Sequence, residues 1–207
     1  MRLGVYIGSF NPVHNGHIKL VNYLLDNNYV DKILIVTTNG YWDKTNLVDV
    51  NDRINMLKFF QNERVLIDET HNNIPYTYEL MRSLSNEYKN DELYLIIGAD
   101  NIINFDKWKN YEELIKYKII IMNRDNIDIK SYTDTYKDSN FIIVSNFDYL
   151  DVSSTKIRND LSNEYLDNKV FNYIKMHNLR VKRYSDVQSF VVQLTCFVTC
   201  RRSHLLQ

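Results

Sequence analysis

Two histidines stand three residues apart in the segment "GSFNPVHNGH" (8–17), which follows an apolar run and precedes a helical pattern. The imidazoles of His14 and His17 can each donate a hydrogen bond to a phosphoryl oxygen, and a protonated imidazole can neutralise charge that builds up in a transition state. A glycine turn that leads into a helix also exposes unpaired backbone N–H groups at the positive end of the helix dipole. The segment therefore predicts an anion site, with phosphate as the expected ligand.

Other interpretations of this segment remain open at the level of the residues. It matches neither G-x-x-x-x-G-K-[ST] nor G-x-G-x-x-G, so the common nucleotide-binding loops do not apply. Gly8 and Gly16 could serve only as turn residues beside partly buried histidines. H-x-x-H could also begin a metal site, but no nearby Cys, Asp or Glu completes a ligand set. We favour the anion site because both histidines and both glycines fall at one strand-to-helix junction.

A second candidate anion site lies in "DVSSTKIRNDL" (151–161). Ser153, Ser154 and Thr155 are good N-cap residues for the helix that they precede. Arg158, one turn further on, can bind a phosphate through two N–H groups. The alternative is an ordinary capped helix with a solvated arginine.

Apolar, β-branched runs alternate with helical patterns along the chain. Strands are predicted at 3–7, 32–38, 64–68, 92–98, 118–123 and 140–145, and helices around 18–25, from 51 or 52 onward, at 78–88, 111–116, 154–161 and 168–178, with a helical turn near 101–105. Short apolar strands separated by helices indicate one α/β domain with a doubly wound parallel sheet. In such a sheet the ligand lies beyond the carboxyl ends of the strands, where the strand order reverses. Gly8, Gly40 and Gly98 each follow a predicted strand at that edge.

Composition limits the classes of partner. The 207 residues carry a net charge of -1, which argues against nucleic acid or an anionic membrane as a partner. We expect a cytoplasmic location, because no secretory signal is visible and no apolar run approaches the roughly 20 residues of a membrane helix. Residues 181–207 lack Asn, Ile, Glu and Gly and hold both cysteines, Cys196 and Cys200. The predicted domain therefore spans 1–180, and 181–207 forms a separate tail, either added sequence or a native extension.

The two motifs together carry a resemblance to a known family. "GSFNPVHNGH" resembles the [ST]-F-[DN]-P-x-H-x-G-H signature of the H-x-G-H nucleotidyltransferase superfamily, and S-S-T-x-I-R is similar to its triphosphate-binding element. The pairing looks most like nicotinate (or nicotinamide) mononucleotide adenylyltransferases, over about residues 3–178. The resemblance implies a Rossmann-like nucleotidyltransferase fold. It also implies adenylyl transfer from ATP to nicotinate mononucleotide, with release of pyrophosphate and with Mg²⁺ arriving on ATP. The alternatives are transfer of an adenylyl or cytidylyl group to another phosphorylated acceptor, such as nicotinamide mononucleotide or phosphopantetheine, and a non-catalytic nucleotide-binding domain.

The resemblance also implies roles for individual residues at the ATP site. His17 would meet the α-phosphate, His14 would position the triphosphate, and Arg158 would bind its far end. In "LIIGADNIINFDKW" (95–108), which resembles the family's I-I-G-A-D…W, Asp100 would hold a ribose hydroxyl. The expected ATP-binding residues are Gly8, Ser9, Phe10, Gly16, Gly98, Asp100, Ser153, Ser154 and Thr155.

The acceptor site is implied by three segments. Tyr76 and Thr77 in "IPYTYELMRSL" (74–84) would touch the pyridine ring, and Trp108 at the end of 95–108 would stack on it. Lys44 would meet the acceptor phosphate, because "DKTNLVDVNDRINML" (43–57) resembles the family's K…R-x-x-M-L region. Two departures from the family pattern concern the acceptor: "NGYWDK" replaces P-P-H-K, and Leu80 stands near the position of the second Thr. The choice between nicotinate and nicotinamide therefore stays open, as does the oligomeric state. By themselves Trp108 could be a surface anchor and Lys44 a solvated charge.

Overall fold

The computed structural model describes residues 1–39, 47–123, 128–136, 140–150, 152–160 and 163–179, with the side chains of residues 159 and 160 left aside. Its strands are β1 (Arg2–Gly8), β2 (Lys32–Thr37), β3 (Val65–Ile67), β4 (Glu92–Gly98), β5 (Lys118–Met122) and β6 (Asn140–Val144). Each predicted strand is found within one residue at either end. Lys44, Gly40 and the tail from residue 181 onward lie outside the described residues.

The six strands form one sheet in the order β3-β2-β1-β4-β5-β6, and every adjacent pair runs parallel. The order reverses between β1 and β4, because the chain builds outward from β1 to β3 and then returns to the other side of β1. This is the doubly wound arrangement that the sequence predicted, and it fixes the switch point at the carboxyl ends of β1 and β4.

The helices are α1 (Asn15–Asp26), α2 (Val50–Lys58), α3 (Thr77–Glu87), α4 (Ala99–Ile102), α5 (Tyr111–Leu114), α6 (Ile129–Thr133), α7 (Ser154–Asp160) and α8 (Asn168–Met176), with a 3₁₀ turn at Phe105–Lys107. The sequence did not predict α6, since a five-residue helix with one buried residue, Ile129, gives no periodic pattern. Helix α2 begins one residue before the expected position, because Asp49 caps it by accepting a hydrogen bond from the N–H of Asn51. In the described part of the chain no helix is long and apolar enough to cross a membrane.

The core consists of two layers, one on each face of the sheet. Alternate residues of a single strand enter different layers: Ile96 of β4 packs with α1, α2 and α8, whereas Leu95 and Ile97 pack with α3, α4 and α5. Burial on both faces explains why the strands read as continuous apolar runs rather than as alternating patterns. The candidate site is built on the carboxyl edge of the sheet that these two layers enclose.

Candidate active site

A cleft of about 600 Å³ opens at the carboxyl ends of β1 and β4, where the strand order reverses. It brings together residues that lie up to about 150 positions apart in sequence. Eleven of the residues expected from the sequence line it: Gly8, Ser9, Phe10, His17, Thr77, Gly98, Asp100, Trp108, Ser154, Thr155 and Arg158. The position of the cleft agrees with the expectation from a doubly wound sheet.

The loop after β1 forms one wall of this cleft. Phe10 has a φ of 43°, in the left-handed region that bulky residues rarely occupy, and its side chain is buried. The ring of Phe10 packs edge-on against His17, with 5.0 Å between the ring centroids. A Cβ at Gly8 would lie 3.0 Å from the same ring, so this position favours glycine. The loop is therefore held in a strained conformation by packing on both sides.

The two histidines take different positions. His17 lines the cleft, whereas His14 caps α1 with 6% of its surface exposed and is not among the lining residues. Their rings stack at 3.6 Å between centroids, and the backbone N–H of His14 donates to Nδ1 of His17 at 3.2 Å. Because Nδ1 of His17 accepts that bond, Nε2 carries the proton of the neutral ring. His17 is thus the histidine that lines the cleft, and the ring of His14 stacks against it.

Helix α7 brings the second motif onto the first. The hydroxyl of Ser154 donates to the carbonyl of Pro12 at 3.0 Å. Arg158 donates from Nη1 to the carbonyl of Asn11 at 2.8 Å and from Nη2 to Oγ1 of Thr155 at 2.8 Å. The guanidinium is therefore held in one orientation at the mouth of the cleft by partners from both motifs.

Two residues expected in the ATP site, Ser153 and Gly16, are not among the residues that line the cleft. Oγ of Ser153 accepts the N–H of Lys156 at 3.1 Å, which is the bond of a helix N-cap, and Ser153 is not among the lining residues. A Cβ at Gly16 would stand 2.9 Å from Cγ1 of Val152, so glycine allows the segment before α7 to approach α1 closely. Both residues position the second motif without facing the cleft.

The opposite wall follows β4. Gly98 caps α4, and the carboxylate of Asp100 lies so close that a Cβ on Gly98 would collide with it. Asp100 is exposed and lines the cleft. Asn101, which was not expected in the site, lines it as well. A side chain at position 98 would therefore displace the carboxylate of Asp100 from its present position.

A second cleft of about 430 Å³ adjoins the first. Its lining residues are Thr38, Pro75, Tyr76, Thr77, Lys107, Trp108 and Lys109. Thr77 and Trp108 line both clefts, so a ligand can extend from one into the other. Trp108 packs against Phe105, with 5.4 Å between ring centroids, and Nζ of Lys109 lies 3.9 Å from the ring centroid of Tyr76.

The charges around the two clefts suit an anionic ligand. Among the described residues that line the two clefts, three carry a positive charge: Lys107, Lys109 and Arg158. One carries a negative charge, Asp100. Neither lysine was expected in the site, although both directly flank Trp108 in the sequence, and a tryptophan between two lysines could have indicated an anion site. Asn11, which is buried in the first motif and lines the first cleft, was also not expected in the site.

A doubly wound parallel sheet in this order, with a cleft at its switch point, is the architecture of nucleotide-binding α/β proteins. The chain belongs to the cytidylyltransferase-like family, whose model matches residues 5–160.

Relatives within the family narrow the comparison. The chain is 35% identical over 173 residues to a probable nicotinate-nucleotide adenylyltransferase of Fusobacterium nucleatum. That alignment covers 79% of this chain and 89% of the relative. The chain is 34% identical over 192 residues to a protein of the same name from Borrelia hermsii, covering 88% and 99%. Because identity exceeds 30% over most of both chains, this protein belongs to the same family as these two relatives.

A solved structure shares the fold. Nicotinic acid mononucleotide adenylyltransferase of Plasmodium falciparum, complexed with NaAD, superposes with a TM-score of 0.73 at 22% identity, covering 88% of this chain and 98% of that one. At that identity the likeness concerns the fold alone.

Proposed function

We propose that this protein transfers the adenylyl group of ATP to nicotinate mononucleotide, yielding nicotinate adenine dinucleotide and pyrophosphate in NAD biosynthesis. One observation carries the proposal: two distant motifs, each expected from the sequence to bind phosphate, meet at the switch point, beside a second cleft that contains Thr77 and Trp108. The names of the relatives from Fusobacterium and Borrelia agree with this activity.

ATP would lie along the first cleft. Nε2 of His17 would donate to the α-phosphate, and Ser154, Thr155 and Arg158 would bind the β- and γ-phosphates. Backbone groups at Ser9 and Phe10 would bind phosphate oxygens beside the N-terminus of α1. His14, which is buried under His17, would hold the catalytic ring in place rather than touch the triphosphate.

The remaining ATP contacts fall on the wall after β4. Asp100 is an exposed carboxylate at the edge of the cleft, where it can accept a hydrogen bond from a ribose hydroxyl. Gly98 would allow the nucleoside to approach the end of the strand. These assignments follow the order of the motifs around the cleft.

The acceptor would occupy the second cleft. Its pyridine ring would lie between Thr77 and Trp108, because an indole face suits a flat heteroaromatic ring. Lys107 and Lys109 at the same cleft favour a pyridine carboxylate over a neutral amide. Lys44 stays the expected partner of the acceptor phosphate and lies outside the described residues.

The reaction needs no nucleophile from the protein. A phosphate oxygen of the acceptor attacks the α-phosphorus in line, a new P–O bond forms, and the bond from that phosphorus to the β-bridging oxygen breaks. Pyrophosphate leaves with the electron pair of the broken bond. Catalysis then consists of positioning the two phosphates and stabilising the charge that develops on the α-phosphoryl oxygens.

Mg²⁺ would enter as part of the substrate MgATP. The described residues contain no group of three or more His, Cys, Asp or Glu side chains that could hold a metal, and Mg²⁺ is commonly bound by substrate phosphates with few protein ligands. The ion would supply neutralisation of phosphate charge, while Arg158 and His17 act on the same groups from the protein side.

Pyrophosphate release in the presence of ATP and Mg²⁺ tests the proposal. Nicotinate mononucleotide, nicotinamide mononucleotide and phosphopantetheine are offered separately, with CTP replacing ATP in a parallel series. We expect release with ATP and nicotinate mononucleotide above all other pairs. Faster release with phosphopantetheine, or binding of ATP without release for any acceptor, would contradict it.

A further inference from the structure

Arg53 of α2 is a buried cation that the proposed mechanism does not use. Only 1% of its surface is exposed. Its hydrogen bonds within the described chain all go to backbone carbonyls: Nε donates to Val48 at 2.8 Å, and Nη1 donates to Ser9 and to Thr38, each at 2.7 Å. Burial lowers the pKa of the Arg53 guanidinium below its usual value, but an arginine stays charged at neutral pH. A charge kept in so buried a place must be compensated by the groups that it binds.

The three carbonyls belong to segments that border the two clefts. Ser9 lies in the loop after β1 and lines the first cleft, and Thr38 lies just after β2 and lines the second. Val48 also donates its N–H to Oδ1 of Asn11 at 3.2 Å, so the segment before α2 is joined to the first motif as well. Thr38 and Val48 stand on either side of residues 40–46. The guanidinium of Arg53 thus joins Thr38 and Val48, one on each side of that segment, to Ser9 in the loop after β1.

The bond to Ser9 sets the direction of one peptide group in the phosphate-binding loop. In a planar trans peptide the C=O and N–H bonds point in opposite directions. Because the Ser9 carbonyl is directed at Arg53, the N–H of Phe10 in the same peptide points away from Arg53. Phe10 is the residue with the left-handed φ of 43°, a conformation that persists only where surrounding contacts enforce it. Arg53 is one of those contacts.

We infer that Arg53 is a positioning residue that holds the ATP loop and the acceptor cleft in one fixed relative placement. The inference rests on the proposed function, since it assigns the two clefts to the two substrates. The guanidinium reaches its three acceptors from two nitrogens held apart in a rigid plane, whereas the three donors of a lysine all lie on one nitrogen. Misplacement of reacting groups by about 1 Å can cost on the order of 100-fold in rate.

The test compares Arg53→Met and Arg53→Lys with Arg64→Met. Arg64 is a matched control because it also donates to backbone carbonyls, those of Leu25 and Asp31, but lies just before β3 at the amino edge of the sheet. We expect Arg53→Met to lower kcat by roughly 100-fold and to raise KM for both substrates. Arg53→Lys should recover part of both effects. Arg64→Met should leave kcat and both KM values within about two-fold, whatever its effect on Tm.

Two results would overturn the inference. One is a folded Arg53→Met enzyme with kcat near that of the wild type. The other is a lower apparent kcat with both KM values unchanged, since a purely structural role only reduces the fraction of active enzyme. If Arg53→Met fails to fold, Arg53→Lys is judged by the same kcat and KM criteria.

A second readout separates this inference from the proposed function. The rise in Tm caused by ATP depends on the first cleft and needs no acceptor. If the wild type proves inactive with nicotinate mononucleotide, the proposed function fails, but a smaller ATP-induced rise in Arg53→Met than in Arg64→Met still supports the positioning role. Equal rises in both variants would refute it.

Discussion

Replacing His17 by asparagine should separate its catalytic role from its structural one. The side-chain amide of asparagine places an oxygen close to the position of Nδ1, so the hydrogen bond from the N–H of His14, 3.2 Å in the wild type, can be kept. Nothing in the asparagine side chain reaches the position of Nε2. His17→Asn therefore removes the Nε2–H group that we assign to the α-phosphate, while it retains the contact that orders the first turn of α1.

The expected loss in kcat follows from the charge on the α-phosphoryl oxygens, which the Nε2–H group is proposed to stabilise. Loss of one preorganised donor to a transition-state oxyanion costs about 100- to 1,000-fold in kcat, or about 2.7–4 kcal/mol. The effect on stability should be smaller, because a single neutral hydrogen bond contributes about 0.5–1.5 kcal/mol and asparagine keeps it. His17→Ala loses both groups, so it should match the loss in kcat and also lower Tm.

The assay is steady-state pyrophosphate release at saturating ATP and nicotinate mononucleotide, with Tm measured on the same samples. His17→Gln, whose amide reaches nearer to the Nε2 position, should be faster than His17→Asn. His71→Asn is the control, since His71 contacts Asp68 and Glu87 and lines neither cleft. A folded His17→Asn enzyme with kcat within about three-fold of the wild type would refute the assignment of His17 to the α-phosphate.

Three further predictions follow from other contacts. Lys109→Met should raise KM for nicotinate mononucleotide about five-fold and leave KM for nicotinamide mononucleotide unchanged. Only the acid carries a carboxylate that Lys109 can bind, so equal shifts in the two KM values would contradict this prediction. Gly16→Ala should lower the free energy of unfolding by about 1–3 kcal/mol in urea titrations, since the clash with Val152 outweighs the gain of about 1 kcal/mol in helix propensity; a stabilised variant would refute it. The hydrogen bond from Arg2 lowers the pKa of Asp31, so this pair stabilises the fold above the ordinary carboxyl pKa and the contribution is lost as pH falls through the lowered value. Thermal scans of Arg2→Met should therefore show a deficit in Tm near pH 7 that shrinks once the pH falls below the ordinary carboxyl pKa, and a deficit that stays constant would contradict this.

The fold could be predicted from sequence because burial on both faces gives every strand the same signature. The run "ELYLIIG" coincides with β4 at both ends, since its residues alternate between two apolar layers. Prediction was weakest where elements are short. The helical turn expected near 101–105 is helix α4 at Ala99–Ile102 followed by a 3₁₀ turn, because the chain bends immediately after Gly98.

The position of the candidate site could be predicted from two short motifs that lie far apart in the sequence. His17 and Arg158 both face the cleft, as expected from two short segments with strong local signals. His14 was expected to position the triphosphate; the structure buries its ring in a stack with His17, which the spacing of the two histidines does not reveal, and its role stays a prediction. Arg53 had no predicted role, because its three carbonyl partners come from segments that only the folded sheet brings together. Lys44 and the tail at 181–207 remain predictions.

The central claim is the transfer of an adenylyl group, and isotope tracing tests it most directly. Purified protein is incubated with Mg²⁺ and nicotinate mononucleotide, with ATP labelled either at the α- or at the γ-phosphorus, and the products are separated by chromatography. The proposed reaction moves the α-label into nicotinate adenine dinucleotide and the γ-label into pyrophosphate. Recovery of the α-label only in ATP, ADP or AMP, with no labelled dinucleotide, would contradict it.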